Sequence, residues 1–198
     1  MSDFWSSNFN AEASGLKDPK RKFRFTVNIS GLQATGTETT LWYAKTATKP
    51  SFSIATTEHK YLNHTFYYPG TVTWNDVTVT LVDPTNPATA ELFGAIMDAA
   101  GYGVPGNDSS WHTMTKASLG AALGVVTINQ LDGLGSTLES WSLQNAIITE
   151  MKFGDLEYGA DDLTELTLTM KYDWAQMIPQ DGGDPYFAVQ TRVAGSET

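Results

Sequence analysis

The 198-residue chain contains no cysteine. That absence excludes a disulfide framework, cysteine-ligated zinc and thiol nucleophiles. Charge is scarce as well: 17% of residues are Asp, Glu, Lys or Arg, below the roughly 25% of an average domain. Cations are the scarcer sign, 12 against 22 acidic residues, and the net charge is −10. This argues against a nucleic-acid binder, because affinity for phosphates rests on Lys and Arg displacing counterions. Long apolar runs are missing too. The longest, about Leu119 to Val126, falls far short of the roughly 20 residues that span a bilayer, so no membrane anchor is expected. The opening residues Met1-Ser2-Asp3-Phe4-Trp5 lack a basic region followed by an apolar stretch, and no secretory signal is expected. The Asn-X-Ser/Thr triplets at Asn28, Asn63 and Asn107 then read as accidental.

What fills the space left by charge is threonine, 26 residues, together with 12% aromatics. Both favour pleated, half-buried strands, so the expectation is a β-rich protein. A chain of this length buries roughly 70% of its unfolded surface around one core, which favours a single domain over 1–198. The charge is unevenly placed. Residues 1–60 carry eight Lys/Arg against five Asp/Glu, whereas residues 61–198 carry four against seventeen. Regions of opposite sign make a chain complementary to copies of itself.

Along the chain, an aromatic-bearing N-terminal arm (1–20, with Phe4, Trp5 and Phe9) leads into the basic cluster Lys17, Lys20, Arg21, Lys22 and Arg24. Phe23, Phe25, Val27 and Ile29 then alternate with polar residues, the mark of a half-buried strand. Leu41-Trp42-Tyr43 opens a second strand, broken at Lys49-Pro50. Residues 52–68 continue as extended chain to Pro69-Gly70. In 71–82, Val72 and Trp74 share one phase while Val77, Val79 and Leu81 share the other, so a bulge or tight bend is expected at Asn75-Asp76. One helix is expected over about 86–100. Asn86 caps it, Pro87 is its first residue, Leu92, Phe93, Ile96 and Ala100 form its stripe, and Gly101 stops it. A Gly/Ala-rich insertion (101–124) reads as a loop with a short second helix. Strands are expected again over 125–129, 140–153 and 163–174, the last alternating Leu166, Leu168, Met170, Tyr172 and Trp174 with polar residues. A C-terminal arm (179–198) carries Tyr186 and Phe187.

No catalytic pattern emerges. Gly101-Tyr102-Gly103-Val104-Pro105-Gly106 matches a dinucleotide motif in letters, but it follows a helix and Pro105 removes an N–H, whereas the motif works between a strand and a helix N-terminus. His59 and His64, five apart in extended chain, are expected on opposite faces and lack a third ligand. His112 sits beside Trp111 in a Gly/Ser loop and carries no signal. Asp155 and Glu157 with Asp161 and Asp162 could form a glycosidase pair or a calcium site; the surrounding turn formers make a hairpin connection the stronger reading. No Ser nucleophile elbow is present. No cofactor or metal is expected.

Two segments do resemble a known family. The first runs Lys49-Pro50-Ser51-Phe52, Tyr61-Leu62-Asn63-His64 and Pro69-Gly70-Thr71-Val72-Thr73-Trp74-Asn75-Asp76-Val77-Thr78-Val79-Thr80-Leu81. The second runs Trp141-Ser142-Leu143-Gln144-Asn145-Ala146-Ile147-Ile148, Phe153-Gly154-Asp155-Leu156-Glu157-Tyr158 and Glu165-Leu166-Thr167-Leu168-Thr169-Met170-Lys171-Tyr172-Asp173-Trp174-Ala175. In order and spacing over about 20–178 they resemble the tail tube proteins of contractile-tailed bacteriophages. The insertion 101–124 and the extension 179–198 depart from the shortest members.

The resemblance implies a mainly β (α+β) subunit, two packed antiparallel sheets forming a barrel-like body with a flanking helix, and no enzymatic activity. Six subunits would close into a ring whose inner strands join one barrel, and rings would stack into a hollow tube. The partners implied are a tail sheath around it, a tape measure protein and then DNA within, and a baseplate and tail terminator at its ends, all in a virion assembled in the host cytoplasm. Closure around a ring removes open strand edges, and an acidic lumen would let DNA slide without sticking. Residues 46–70 are expected to project and stack on the next ring through Lys45, Lys49, Pro50, Phe52, His59, Lys60, Tyr61 and His64. The arms are expected on neighbouring subunits through Phe4, Trp5, Phe9, Tyr186 and Phe187. The expected core comprises Phe23, Phe25, Val27, Trp74, Val79, Leu81, Leu92, Phe93, Ile96, Leu166, Leu168, Met170 and Tyr172. The inner tube of a bacterial contractile injection system and a β-sandwich carbohydrate-binding module are the alternatives.

Overall fold

Alternating apolar and polar residues build most of the strands. A computed structural model of the chain describes residues 19–35, 40–41, 43–85, 89–103, 113–159, 161–180 and 183–188. The expectations for Phe4, Trp5 and Phe9, for Asn86 and Pro87, and for Trp111 and His112 lie outside these residues. In chain order the elements are β1 (Phe25–Ile29), a 3-10 helix (Ser30–Thr35), β2 (Thr40–Leu41), β3 (Ala44–Ala47), β4 (Phe52–Tyr61), β5 (His64–Trp74) and β6 (Val77–Val82). There follow α1 (Thr89–Ala99), α2 (Lys116–Leu123), β7 (Val126–Leu131), β8 (Thr137–Gln144), β9 (Ile147–Lys152), β10 (Glu165–Lys171) and β11 (Trp174–Pro179).

The strands form a five-stranded sheet, order β11-β8-β7-β1-β2, a four-stranded sheet, order β3-β6-β10-β9, and a separate hairpin, β4-β5. Every pairing is antiparallel. The two larger sheets share one core. Val27 and Ile29 of β1, Val126 and Ile128 of β7 and Leu143 of β8 meet Val77, Val79 and Leu81 of β6 and Leu166, Leu168 and Met170 of β10. Strict alternation in β6, β7 and β10 gives each one buried and one partly open face, as expected of strands whose second face looks away from the core. Among the described residues the sheets do not close into a barrel. The architecture is mainly β with flanking helices.

The helices close one side of this core. α1 buries Leu92, Phe93 and Ile96, with Ala100 just beyond it also buried. The Thr89 N–H donates to Asp83 Oδ1 at 2.7 Å, satisfying one of the orphan donors of a helix start. α2 is the short second helix expected within the Gly/Ala-rich segment 101–124. Thr115 and Ser118 form a reciprocal capping box there, the device that satisfies two amide donors at once.

The expected strand 140–153 is two strands, because the chain changes sheet in its middle, and the expected strand 163–174 is β10, which ends in a change of sheet just before Trp174 opens β11. Asn145-Ala146 carries the chain from β8 to β9, and Tyr172-Asp173 from β10 to β11. Asn145 takes the left-handed conformation (φ 53°) that Asn tolerates better than most residues. Its Nδ2 donates to Asp173 Oδ2 at 2.8 Å, and the Asp173 N–H donates to Gln144 O at 3.1 Å, so the two corners are bonded to each other. Lys116 Nζ adds bonds of 2.8 and 2.7 Å to both carboxylate oxygens. Hydrogen bonds from Lys116 and Asn145 hold the Asp173 carboxyl below its usual range. The phase switch at Asn75-Asp76 is likewise a change of sheet: β5 ends in the hairpin and β6 begins in the four-stranded sheet.

Phe23 departs from expectation. It is 75% exposed, because residues 21–24 form a turn (Arg24 N–H to Arg21 O, 3.4 Å) and the alternation starts only at Phe25. The Arg24 guanidinium lies 5.4 Å from the centre of its ring.

The helical side meets the first sheet where Ser30-Gly31 passes the end of α2. The Val125 N–H donates to Ser30 Oγ at 2.7 Å, and the Ser30 N–H returns to Val125 O at 3.0 Å. A Cβ on Gly31 would stand 2.0 Å from the Ala122 carbonyl oxygen, a distance that only backbone movement relieves. Gly31→Ala is therefore expected to lower stability by about 2–4 kcal/mol, read from the midpoint of urea unfolding.

Candidate assembly surface

The chain between β3 and β6 leaves the body as a long ribbon. β4 and β5 pair from Phe52↔Trp74 at the root to Tyr61↔His64 at the tip, with an irregularity between Ile54 and Thr56. The expected projecting segment 46–70 is thus a hairpin shifted toward the C-terminus, 52–74. Every residue of β4 is exposed, and in β5 only Thr65 and Trp74 are partly covered. A lone two-stranded hairpin is marginal in water, and here neither face has a layer against it.

Register sorts the hairpin's side chains. Directly opposed residues share a face, as do residues two apart. His59↔Phe66 and Tyr61↔His64 therefore place His59, Tyr61, His64, Phe66, Thr57 and Tyr68 on one face. Glu58, Lys60, Tyr67 and Pro69 lie on the other. The two histidines share a face, contrary to the expectation drawn from a single extended strand, because the chain reverses between them at Leu62-Asn63. The His64 and Phe66 rings meet edge-on at 4.7 Å. No cluster of three or more His, Asp or Glu side chains suited to a metal occurs among the described residues.

The root is fixed by aromatic packing. Trp74 lies 5.1 Å from Phe52, 5.7 Å from Phe187 and 5.9 Å from Tyr172 by ring centroid. Phe187 also contacts Phe52 at 5.7 Å and stacks on Trp141 at 6.5 Å. Such pairs add about 0.5–1.5 kcal/mol each beyond the area they bury. Tyr186 exchanges two backbone bonds with Met177, 2.8 and 3.2 Å. Tyr186 and Phe187, expected on a neighbouring subunit, therefore dock on their own chain while staying about half exposed. Trp74 belongs to this cluster, Tyr172 is 6% exposed and Phe25 packs against the rim of the main core.

Cations expected to reach a neighbour are also engaged within the chain. Lys45 bonds Glu165, and Lys49 bonds both Glu139 and Gln130. Pro50 is buried beside it. Lys60 has no ion-pair partner among the described residues.

Glu139, on which Lys20 and Lys49 converge, was not marked by any sequence pattern. Burial works to raise its carboxyl, but hydrogen bonds from Lys20, Lys49 and Trp141 and the charge of Lys49 outweigh that and pull it down to about 2. A carboxyl more acidic folded than unfolded stabilises the fold above its unfolded value and loses that contribution as pH falls. The loss is expected between about pH 4.5 and pH 2. Both ammonium groups are about half exposed, so solvent screening limits the contribution to about 1–2 kcal/mol. Glu139→Gln should cost that amount at pH 7 and flatten the acid limb of a thermal-stability profile.

At the opposite end of the four-stranded sheet, the β9–β10 connection (153–164) holds Asp155, Glu157, Asp161 and Asp162. Leu156, Tyr158 and Leu163 in the same loop are largely exposed. The segment joins two paired strands. Trp74 and Trp141 belong to the hairpin root at the far end, so neither gives this loop a sugar-stacking platform. No helix among the described residues is long and apolar enough to cross a membrane.

No protein-family model matches the sequence, and no curated protein matches it. Similarity appears in three dimensions. A chain of the anti-feeding prophage tube-terminating cap superposes with a TM-score of 0.60 at 14% identity, covering 86% of this chain and 98% of that one. A chain of an extracellular contractile injection system, the PVC sheath–tube complex in its extended state, gives 0.58 at 14%, covering 83% and 94%. A chain of the six-fold symmetrised anti-feeding prophage baseplate gives 0.58 at 15%, covering 83% and 98%. The chain shares its fold with these chains of a baseplate, a sheath–tube complex and a tube-terminating cap.

Proposed function

We propose that this protein is a structural subunit of the inner tube of a contractile tail, self-assembling into six-membered rings that stack into a hollow tube. The observation that carries this reading is a shared fold over more than four-fifths of the chain, joined to a hairpin that leaves apolar and aromatic side chains on both faces without a layer to cover them. A neighbouring subunit supplies that layer. Among the described residues the outer strands β2, β3 and β9 have one side with no strand paired to it, and β11 has only the bridge from Met177 to Tyr186; ring closure is one way to pair such edges.

In this reading the chain is one tube domain over 1–198. His59, Lys60, Tyr61 and His64 meet the adjoining ring, and the arms 1–20 and 179–198 add contacts between subunits. A sheath surrounds the tube, with a baseplate below it and a terminator above. In a phage tail the lumen holds a tape measure protein and then passes DNA into the host. The acidic balance of the chain suits that passage, because phosphates gain nothing from such a wall. A second reading, the inner tube of a bacterial contractile injection system, is favoured by the particles from which the similar structures come. Nucleic acid or protein recovered from the lumen of isolated particles separates the two.

Purified protein is expected to form rings and tubes visible by negative-stain microscopy. Replacing residues 56–69 with an Asn-Gly turn should move the melting temperature by no more than about 2 °C, since these residues cover none of the core, and should abolish tubes. A stable monomer at all concentrations and salts would count against the assembly reading.

A further inference from the structure

Two exposed surfaces remain without a role, and they lie at opposite ends of the molecule. In the four-stranded sheet, β3 and β6 pair as Ala47↔Val79 and Ala44↔Leu81, and β6 and β10 as Met170↔Val77 and Glu165↔Val82. The end of β3 and the start of β6, where the hairpin leaves, are therefore at one end. The β9–β10 loop, between Lys152 and Glu165, is at the other.

The turn bearing Phe23 belongs to the hairpin end, because Lys20 beside it and Lys49 below the hairpin bond the same Glu139. This turn holds Lys20, Arg21, Lys22 and Arg24 and no acidic residue, with Phe23 standing 75% exposed among them. The loop at the far end has the inverse composition. It holds four carboxylates and no cation between Phe153 and Thr164, around an open cleft of about 710 Å³ lined by Asp155, Leu156, Glu157, Tyr158, Asp162 and Leu163. Leu156 is 88% and Leu163 71% exposed. Gly154 sets the loop's exit: its φ is +78°, and a Cβ there would meet the Glu165 carbonyl oxygen at 2.5 Å.

We propose that the occupant of this acidic cleft is the Phe23 turn of a second copy of this chain. The aromatic ring covers Leu156 and Leu163 while Lys22 beside it, which has no ion pair among the described residues, faces the carboxylates of the rim. An apolar contact ringed by charges of opposite sign gives both burial and register. The two surfaces differ and sit at opposite ends, so the contact is head-to-tail and repeats without closing on itself. That generates the long axis of a stack. The inference rests on the tube reading and adds to it a second inter-ring contact, distinct from the hairpin.

The absence of native cysteine makes the test direct. Phe23→Cys and Leu156→Cys are introduced together, the protein is assembled and oxidised, and non-reducing gels and negative-stain images are taken from the same sample. A disulfide forms only where the two Cα atoms come within about 7 Å. The expected result is a ladder of cross-linked oligomers from the double variant, with dimers at most from either single variant. Tubes without a ladder overturn this contact and leave the tube reading intact. Wild-type protein that never forms rings or tubes overturns the tube reading, and the contact with it. Charge reversal gives an independent arm. Asp155→Lys with Glu157→Lys, and separately Lys22→Glu with Phe23 retained, should each reduce tubes at least several-fold while leaving the circular dichroism spectrum unchanged. Mixing the two variants should restore them. Wild-type tube lengths from either variant alone would overturn the proposal.

Discussion

The aromatic packing of Phe52, Trp74, Trp141, Tyr172 and Phe187 is what allows a two-stranded ribbon to stand away from the body. A ribbon has no interior, and its cross-strand pairs contribute only about 0.2–1 kcal/mol each. Held at its root, it keeps a defined direction with both faces in water. The cluster draws on β4, β5, β8, the β10–β11 corner and the C-terminal segment, so the direction of the hairpin is tied to both sheets at once. Loss of that anchorage would leave the body folded and the projecting surface undirected.

Electrostatics acts beside this packing at the same place. Glu139 collects Lys20 from the segment before β1 and Lys49 from the approach to β4, binding two chain regions to the start of β8. Ion pairs at the surface contribute little individually, but this carboxylate is the more buried partner and is shared, so removing it leaves two cations without their common acceptor. Cations that composition offered for recognition of a partner are in this way spent within the subunit. Carboxylates without a cation in the same segment are gathered in the β9–β10 loop, at the other end of the four-stranded sheet.

A subunit that presents different surfaces at its two ends is suited to open-ended stacking, and one that leaves sheet edges unpaired is suited to lateral closure. The same fold is found in chains of a baseplate, a sheath–tube complex and a tube-terminating cap. The fold is kept at 14–15% identity.

Much of the core was legible in the sequence. Val27, Val79, Leu81, Leu166, Leu168 and Met170 are buried where alternation places them, and Leu92, Phe93 and Ile96 where helical spacing does, because periodicity reports which side of a local element is apolar. Periodicity does not report where an element ends or what lies opposite. Phe23 continued the pattern of β1 yet sits in a turn. The sheet change at Asn145-Ala146 interrupts a run that reads as a single strand, the one at Tyr172-Asp173 ends β10 just before Trp174, and the reversal at Leu62-Asn63 brings His59 and His64 to one face. Glu139 meets Lys49 and Lys20 across 90 and 119 residues of chain, and Phe187 reaches Phe52 across a comparable span. The sequence determined which residues avoid water. Only the tertiary structure decided which of the rest meet one another, because contacts at that separation depend on the order of strands in the sheets and leave no local trace.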